Sequence, residues 1–265
     1  MTTETVAGPD LERVLRWDGC YNVRDLGGLT TRDGRTVRRA ALVRADLLCR
    51  LTETSRSAPI EHGIRTIVDV RFADEVARDW HQYPFRGWDS ADAPFEGLRY
   101  VNVPFNGGRP ALGQRELALL DAALSRSELN RLDLDLNQPA ITAIVGAVAD
   151  AQPGGVLIHC HGGKDRTGIS VAFILSLLGV PDELIADDYA LTHVTFQPVL
   201  DEWLATQSED PAERARLARL HIPSREAMLE TLGHLATRYG SAHAYLREGG
   251  LSEDQVGRLR ARLLD

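Results

Sequence analysis

Between residues 156 and 179 the chain has few options other than a strand, one tight turn and a returning helix. Val156, Leu157 and Ile158 form a short apolar, β-branched-rich run of the kind that fills a buried strand. The next residues, from His159 to Arg166, include Gly162 and Gly163 and read as a turn. From Thr167 to Leu178 the residues are mostly apolar, and Gly179 stands where such a helix would stop, so a helix is predicted over 167–178. A strand, a tight loop and a helix N-terminus together form an anion cradle: backbone N–H groups point into the loop, and the helix dipole favours negative charge there.

The side chains narrow the chemistry. Cys160 opens the turn and Arg166 closes it, with five residues between them. A thiol among amide donors and a guanidinium is stabilised as thiolate, the nucleophilic form. Arg166 offers a planar fork that matches two oxygens of a phosphoryl group. Gly162 and Gly163 are expected to let the backbone approach an anion without a Cβ in the way. Thr167 is expected to donate to the sulfur and stabilise it as a leaving group, and His161 and Lys164 complete the anion-facing side of the turn.

Three other readings of this turn are weaker. A lone cysteine is most often an inert buried hydrophobe, which suits Cys20 and Cys49; Cys160 differs in being accompanied by Arg166 and two glycines. A nucleotide-binding loop needs Ser or Thr after its lysine, whereas Asp165 follows Lys164. A metal site from His159, Cys160 and His161 would require adjacent side chains at a strand end to converge, and no CxxC or HxxxH partner is present.

The Cys160-x5-Arg166 spacing resembles the signature of cysteine-dependent phosphatases. More narrowly, His-Cys-x-x-Gly-Lys-Asp-Arg-Thr-Gly over His159 to Gly168 resembles the bacterial broad-specificity protein-tyrosine-phosphatase-like family, which includes the mycobacterial PtpB-type cysteine phosphatases. Asn22-Val23-Arg24-Asp25-Leu26-Gly27-Gly28 resembles that family's N-terminal motif, and Tyr239-Gly240-Ser241 through Leu251-Ser252 resembles its tail. The resemblance implies an α/β fold of protein-tyrosine-phosphatase type: a central, mostly parallel sheet flanked by helices, with an all-helical C-terminal third. It implies that residues 16–265 form one phosphatase domain after a loose segment over 1–15. Arg24 and Asp25 would brace the active-site loop, although an ordinary turn with an ion pair would look the same. Asp69 and Arg71, side by side at a strand end, would lie near the loop, with a solvated ion pair as the alternative. His159 would support the loop from the strand.

Composition removes several classes of function. The chain has 265 residues and a formal net charge of -8, with no basic stripe, so nucleic acid is not an expected partner. Its positive charge must instead be concentrated locally, at Lys164 and Arg166. Three widely spaced cysteines do not make a disulfide framework, and a nucleophilic thiol suits a reducing compartment. Residues 1–10 are polar, without an apolar signal core, and no run of eighteen apolar residues is present. These features predict no integral membrane segment and a cytoplasmic location, with non-classical export left open.

Other strands are expected at 37–43, 66–71 and 98–104. Related phosphatases commonly carry a general-acid Asp on a mobile loop at about residue 106; here Asn106, Gly107 and Gly108 stand there, which departs from the pattern. Residues 107–136 form a largely helical excursion, readable as a lid or as a peripheral amphipathic helix. After Gly179 separate helices are expected from Pro181, over 195–207, 211–220, 224–239, 241–246 and 252–264. Asp187 and Asp188 read as a solvated face.

The implied chemistry is phosphate-ester hydrolysis. Cys160 attacks phosphorus to form a phosphocysteine, Arg166 and the loop amides hold the equatorial oxygens, and a carboxylic acid protonates the leaving alcohol. Without an Asp near residue 106, Asp165 is the first candidate, its pKa expected to be raised by thiolate and phosphate, and Asp69 is the reserve. No metal or organic cofactor is required. The expected substrates are phosphoproteins, phosphotyrosine first, and phosphoinositides, because Lys164-Asp165 within this motif accompanies both in resembling enzymes; phosphate is the product. A phosphoinositide-only phosphatase, a non-catalytic phosphate-binding module and a rhodanese-like sulfurtransferase are the rival readings.

Overall fold

The computed structural model describes residues 11–82, 97–105 and 113–265. The expectations for residues 1–10, for Asn106, Gly107 and Gly108, and for the first residues of the 107–136 excursion lie outside these. Five strands form the sheet: β1 (Arg24–Asp25), β2 (Leu42–Ala45), β3 (Ile64–Asp69), β4 (Arg99–Asn102) and β5 (Gly155–His159). Their spatial order is β1-β2-β5-β3-β4, with β1 antiparallel to β2 and every other pairing parallel. This is the expected mostly parallel α/β sheet, and β5 lies at its centre.

Alternation along the strands assigns the two faces. Val156 and Ile158 of β5 join Leu42 and Val68 in the larger core cluster, while Leu157 joins Val43, Ala45, Ile64 and Ile67 in the smaller one. The smaller cluster is closed by Trp17, Val23, Leu48 and Leu51, from the N-terminal segment and the residues after β2. The larger cluster is closed by helices. These are α4 (Arg126–Leu136), through Leu134, α5 (Gln138–Ala149), α6 (Asp165–Leu178), α7 (Asp182–Gln207), α9 (Arg225–Tyr239), α10 (Ala242–Glu248) and α11 (Glu253–Leu263). The other α-helices among the described residues are α1 (Ala58–Glu61), α2 (Ala73–Gln82), α3 (Gln114–Ala122) and α8 (Pro211–His221). From Asp165 onward every element is helical. Among the described residues no helix is long and apolar enough to cross a membrane.

Several expectations shift. Residues 11–15 are not loose: Val14 bridges Arg24, Leu15 N donates to Val23 O at 2.9 Å, and Arg13 is buried. The strand expected at 37–43 begins only at Leu42; Val37 makes an isolated bridge to Leu264. The intervening chain turns at Ala40, whose φ is 58° and whose N–H donates to Asp25 Oδ2 at 2.8 Å. α6 starts at Asp165, so Arg166 and Thr167 lie in its first turn, and Gly179 closes it with φ 86°.

The largest correction concerns α7. Two helices were expected, with a break at Thr195, but one helix runs from Asp182 to Gln207 with Pro198 inside it. Thr195 is not a cap: its hydroxyl donates to Asn22 Oδ1 at 2.7 Å. Nor do Asp187 and Asp188 share a solvated face. Asp187 is exposed and pairs with Arg225, whereas Asp188 is completely buried among arginines.

Candidate active site

β5 delivers Cys160 to the carboxyl end of the sheet, where open α/β sheets place ligands. Ala45 and Asp69 flank His159 on either side in the register, so the turn emerges between two neighbouring strand ends. Gly163, at φ 61°, is required by packing: a Cβ there would lie 2.4 Å from Ala45 O. Gly162 is not constrained in this way, since a Cβ would meet only the Phe196 ring at an ordinary 3.6 Å. The two glycines therefore differ: one fits the loop against β2, and the other faces the cavity.

That cavity measures about 270 Å³ and is lined by Cys160, His161, Gly162, Lys164, Asp165 and Arg166 at the turn, together with Arg50. The rest of its lining is largely apolar: Phe196, Val199, Leu200 and Trp203 of α7, with His221 at the end of α8. Among the described residues none of the 113–136 excursion lines it. Instead α4 meets the turn from outside, with Arg126 Nη1 3.3 Å from Asp165 Oδ1.

Arg166 is held from its end. Its two terminal nitrogens grip the Glu75 carboxylate, with Nη2 to Oε1 at 3.0 Å, and its guanidinium lies 4.7 Å from the Phe72 ring centroid. Glu75 Oε2 also accepts the Phe72 N–H at 2.9 Å, so one carboxylate closes the first turn of α2 and anchors Arg166. This end-on grip leaves the Nε side of the fork for a phosphoryl group. Burial would lower the Arg166 pKa, but Cys160 and Glu75 raise it on balance, so the charge is secure.

Lys164 is not a surface charge. It is largely buried, donates to His221 O at 2.5 Å and lies 3.5 Å from Asp165 Oδ2. Burial pulls its pKa below the ordinary lysine value, against the pull of Asp165. Asp165 corrects an expectation about direction. Burial alone would raise its pKa, but Arg126 and Lys164 outweigh burial and hold it below the ordinary carboxylate value. Tyr189 Oη donates to it at 3.3 Å. Thr167 is fully buried, and its hydroxyl forms no hydrogen bond to Cys160 or any other described group. His161 is partly buried, with its pKa lowered by burial and Arg50.

Asp69 and Arg71 are not a solvated pair. Asp69 is fully buried, accepts from Arg71 Nη2 and Tyr100 Oη at 2.6 Å, and does not line the cavity. Arg71 reaches on to Asp79 at 2.9 Å. Burial would raise the Asp69 carboxyl, but His159 and Arg71 bring it down to about 2. The reserve acid is thus an ionised structural group. His159 is buried beside it, Nε2 at 3.6 Å, with Nδ1 3.2 Å from Cys160 O.

The 22–28 segment does reach the turn. Asn22 Nδ2 donates to Gly162 O at 3.0 Å and Gly163 O at 3.1 Å, and Arg24 Nη1 holds Asn22 Oδ1 at 2.5 Å. Asp25 braces something else: it accepts from Gly27 N and Ala40 N and lies 3.2 Å from His62 Nε2. Sequence reasoning missed Glu75, Phe72, Arg44 and Asp188. Only Glu75 carried a local signal, a glutamate at the third position of a helix. Among the described residues no three His, Cys, Asp or Glu side chains gather as a metal site.

Comparison with known proteins agrees with this geometry. The family model described as "Tyrosine phosphatase family" matches residues 15–265. A tyrosine-protein phosphatase of Nostoc commune is 29% identical, over 84% of this chain and 74% of its own length. The triple specificity protein phosphatase PtpB of Mycobacterium tuberculosis is also 29% identical, over 93% of this chain and 97% of its own.

Proposed function

Since the chain belongs to the tyrosine phosphatase family and is thus a phosphoric monoester hydrolase, we propose that it cleaves phosphotyrosine, with phosphoserine, phosphothreonine and phosphoinositides also accepted, through a phosphocysteine at Cys160. The observation that carries this reading is one cavity lined both by Cys160 and Arg166 and by Phe196, Leu200 and Trp203. An anion seat beside apolar side chains suits an aryl phosphate, whose ring packs while its phosphate is bound.

In this reading the Cys160 thiolate attacks phosphorus in line, and the P–O bond to the ester oxygen breaks on the opposite side as that oxygen takes up a proton. The Nε side of Arg166 and the turn's amides take the charge that builds on the equatorial oxygens. Asp165 is the proton donor, as the one carboxylate lining the cavity among the described residues. Its pKa is low in the free chain, and a phosphate dianion beside it raises it toward the range a general acid needs. Water then hydrolyses the phosphocysteine, with the same carboxylate as base. Lys164 and Arg50 give the cavity positive charge beyond Arg166, which supports tolerance of substrates carrying a second anionic group.

The test is phosphate release from phosphotyrosine, phosphoserine and phosphothreonine peptides and a phosphoinositide panel, in chelator-treated buffer. Wild type is expected to release phosphate fastest from phosphotyrosine, and Cys160→Ser to release none. Asp165→Asn should slow alkyl phosphates more than p-nitrophenyl phosphate, whose leaving group needs little protonation. Turnover surviving in Cys160→Ser would overturn the mechanism, and an equal loss on both ester types would remove Asp165 as the acid.

A further inference from the structure

Three buried arginines converge on one buried carboxylate just behind the catalytic turn. Asp188 of α7 accepts from Arg13 Nη1 at 2.9 Å, Arg24 Nε at 2.9 Å and Arg44 Nη1 at 2.7 Å. Arg24 also donates to Asp188 O at 2.6 Å and to Thr192 Oγ1 at 2.9 Å. All four charged side chains are almost wholly buried, and none lines the cavity. Gathering excess positive charge in the interior is costly. Burial and neighbouring Arg44 push the Arg24 pKa down to about 9, which registers that cost. Burial would raise the Asp188 carboxyl, but Arg24, Arg44 and Arg13 hold it far below the carboxylate range.

Two of these guanidiniums also spend donors on the turn. Arg44 Nη2 donates to Gly163 O at 2.7 Å and Lys164 O at 3.3 Å. Arg24 fixes Asn22, whose amide nitrogen holds Gly162 O and Gly163 O. The carbonyls of residues 162, 163 and 164 are thus tied to groups outside the cavity. Among the described residues there are no cis peptide bonds. In a trans peptide the following N–H points opposite to the carbonyl. Tying these three carbonyls backward therefore turns the N–H groups of Gly163, Lys164 and Asp165 toward the Cys160 side.

We propose that Asp188 is the hub of a positioning network, with Arg24, Arg44 and Asn22 as its arms, that holds the phosphate cradle preformed. The proposal rests on the phosphatase reading above and adds what sets the cradle's shape. None of these residues touches substrate; they act through the turn's peptide groups. The hub also ties the cradle to the apolar part of the cavity lining. Asp188, Thr192 and Thr195 contact the network along one stripe of α7, and the same helix continues through Phe196, Leu200 and Trp203.

The experiment compares wild type with Arg44→Lys, Asn22→Ala and Asp188→Asn. Arg44→Lys keeps the charge but cannot serve Asp188 and Gly163 O together. Asn22→Ala removes no charge, so both remain informative if Asp188→Asn fails to fold. Four quantities are read: kcat and KM on p-nitrophenyl phosphate and tungstate affinity by calorimetry, all at 25 °C, and the thermal midpoint from a melt. For Arg44→Lys and Asn22→Ala, kcat/KM and tungstate affinity should both fall by roughly tenfold or more, as for loss of oxyanion-hole donors, in protein that still melts cooperatively. Lowered midpoints with unchanged kcat/KM and tungstate affinity would overturn the proposal and leave the cluster as packing alone. Failure of the phosphatase reading is separately visible: wild type would release no phosphate, while tungstate binding would still report on the cradle.

Discussion

Arg166 shows how one side chain can be both charged and aimed. Its terminal nitrogens are committed to Glu75 and its face to Phe72, so the guanidinium cannot swing without giving up a charge-assisted pair and a stacked ring. Glu75→Gln keeps the shape but removes the charge and one acceptor. The expected result is a fall in kcat/KM on the order of tenfold, the scale of one charged hydrogen bond, most of it in KM. Steady-state kinetics on p-nitrophenyl phosphate check it, and unchanged kinetics would show that Phe72 alone aims the fork. His159 gives a pH prediction. Burial lowers its pKa to about 4, against the upward pull of Asp69, while an unfolded histidine titrates near 6.5. A depressed folded pKa means stability that is fully present above pH about 6.5 and lost as pH falls toward about 4, because the unfolded chain takes up the proton first. The thermal midpoint of wild type should therefore fall across this window more steeply than that of His159→Gln, and parallel curves would refute the assignment. The proposed catalytic pair could be read from the sequence because Cys160 and Arg166 lie six residues apart in one segment. Glu75 and Asp188 were not, because their partners lie 91 and 144 or more residues away and only the folded sheet brings them together.

At the scale of elements, α7 departs most from what its sequence suggests. A separate helix was expected over 195–207, yet tertiary contacts carry one helix through Thr195. Thr195 is claimed by Asn22, and Phe196 and Leu200 are buried, so ending the helix there would expose apolar surface. The reading of Asp188 as solvated failed for a related reason. An aspartate next to another aspartate on a helix looks like surface, and nothing local reveals arginines arriving from residues 13, 24 and 44. The crossing of α6 and α7 depends on a missing side chain. A Cβ on Gly168 would lie 2.7 Å from two Tyr189 ring carbons and 3.4 Å from Arg44 Nη2. Tyr189 is fully buried, so its ring cannot simply rotate away. Gly168→Ala gains up to about 1 kcal/mol in helix propensity but overpacks a buried contact, which typically costs about 1–3 kcal/mol. Net destabilisation of about 1–2 kcal/mol is expected in urea unfolding, and a neutral or stabilised variant would mean that the two helices separate freely.

For the whole molecule, the sequence disclosed the layers but not their order. β3 and β5 announced themselves as apolar runs, whereas β2 was expected too early, at 37–43, and β4 is half polar; the helical C-terminal third was visible from its caps, such as Ser252. That β5 would sit between β2 and β3 was not visible, because strand order is set by crossover connections rather than by any one segment. The same limit hid how the last helix closes the fold. α11 buries Val256, Leu259 and Leu263, followed by Leu264, in the larger core cluster. Its end is stitched to the residues before β2: Val37 bridges Leu264, Asp265 N donates to Thr36 O at 3.1 Å, and Arg38 Nη2 donates to Leu264 O at 2.6 Å. Burial of an aliphatic side chain is worth about 1.5–3 kcal/mol, so these four together approach the ~5–15 kcal/mol by which a folded domain is stable. A chain stopped at Leu251 keeps the catalytic turn and every strand, yet it should lose its cooperative thermal transition and, with it, phosphate release. Circular dichroism melting of the shortened chain decides the matter. A sharp transition with retained turnover would show that α11 only covers a core already complete without it, whereas a broad, non-cooperative melt would show that the cradle formed by residues 160–166 exists only while α11 is docked on the core and on the residues before β2.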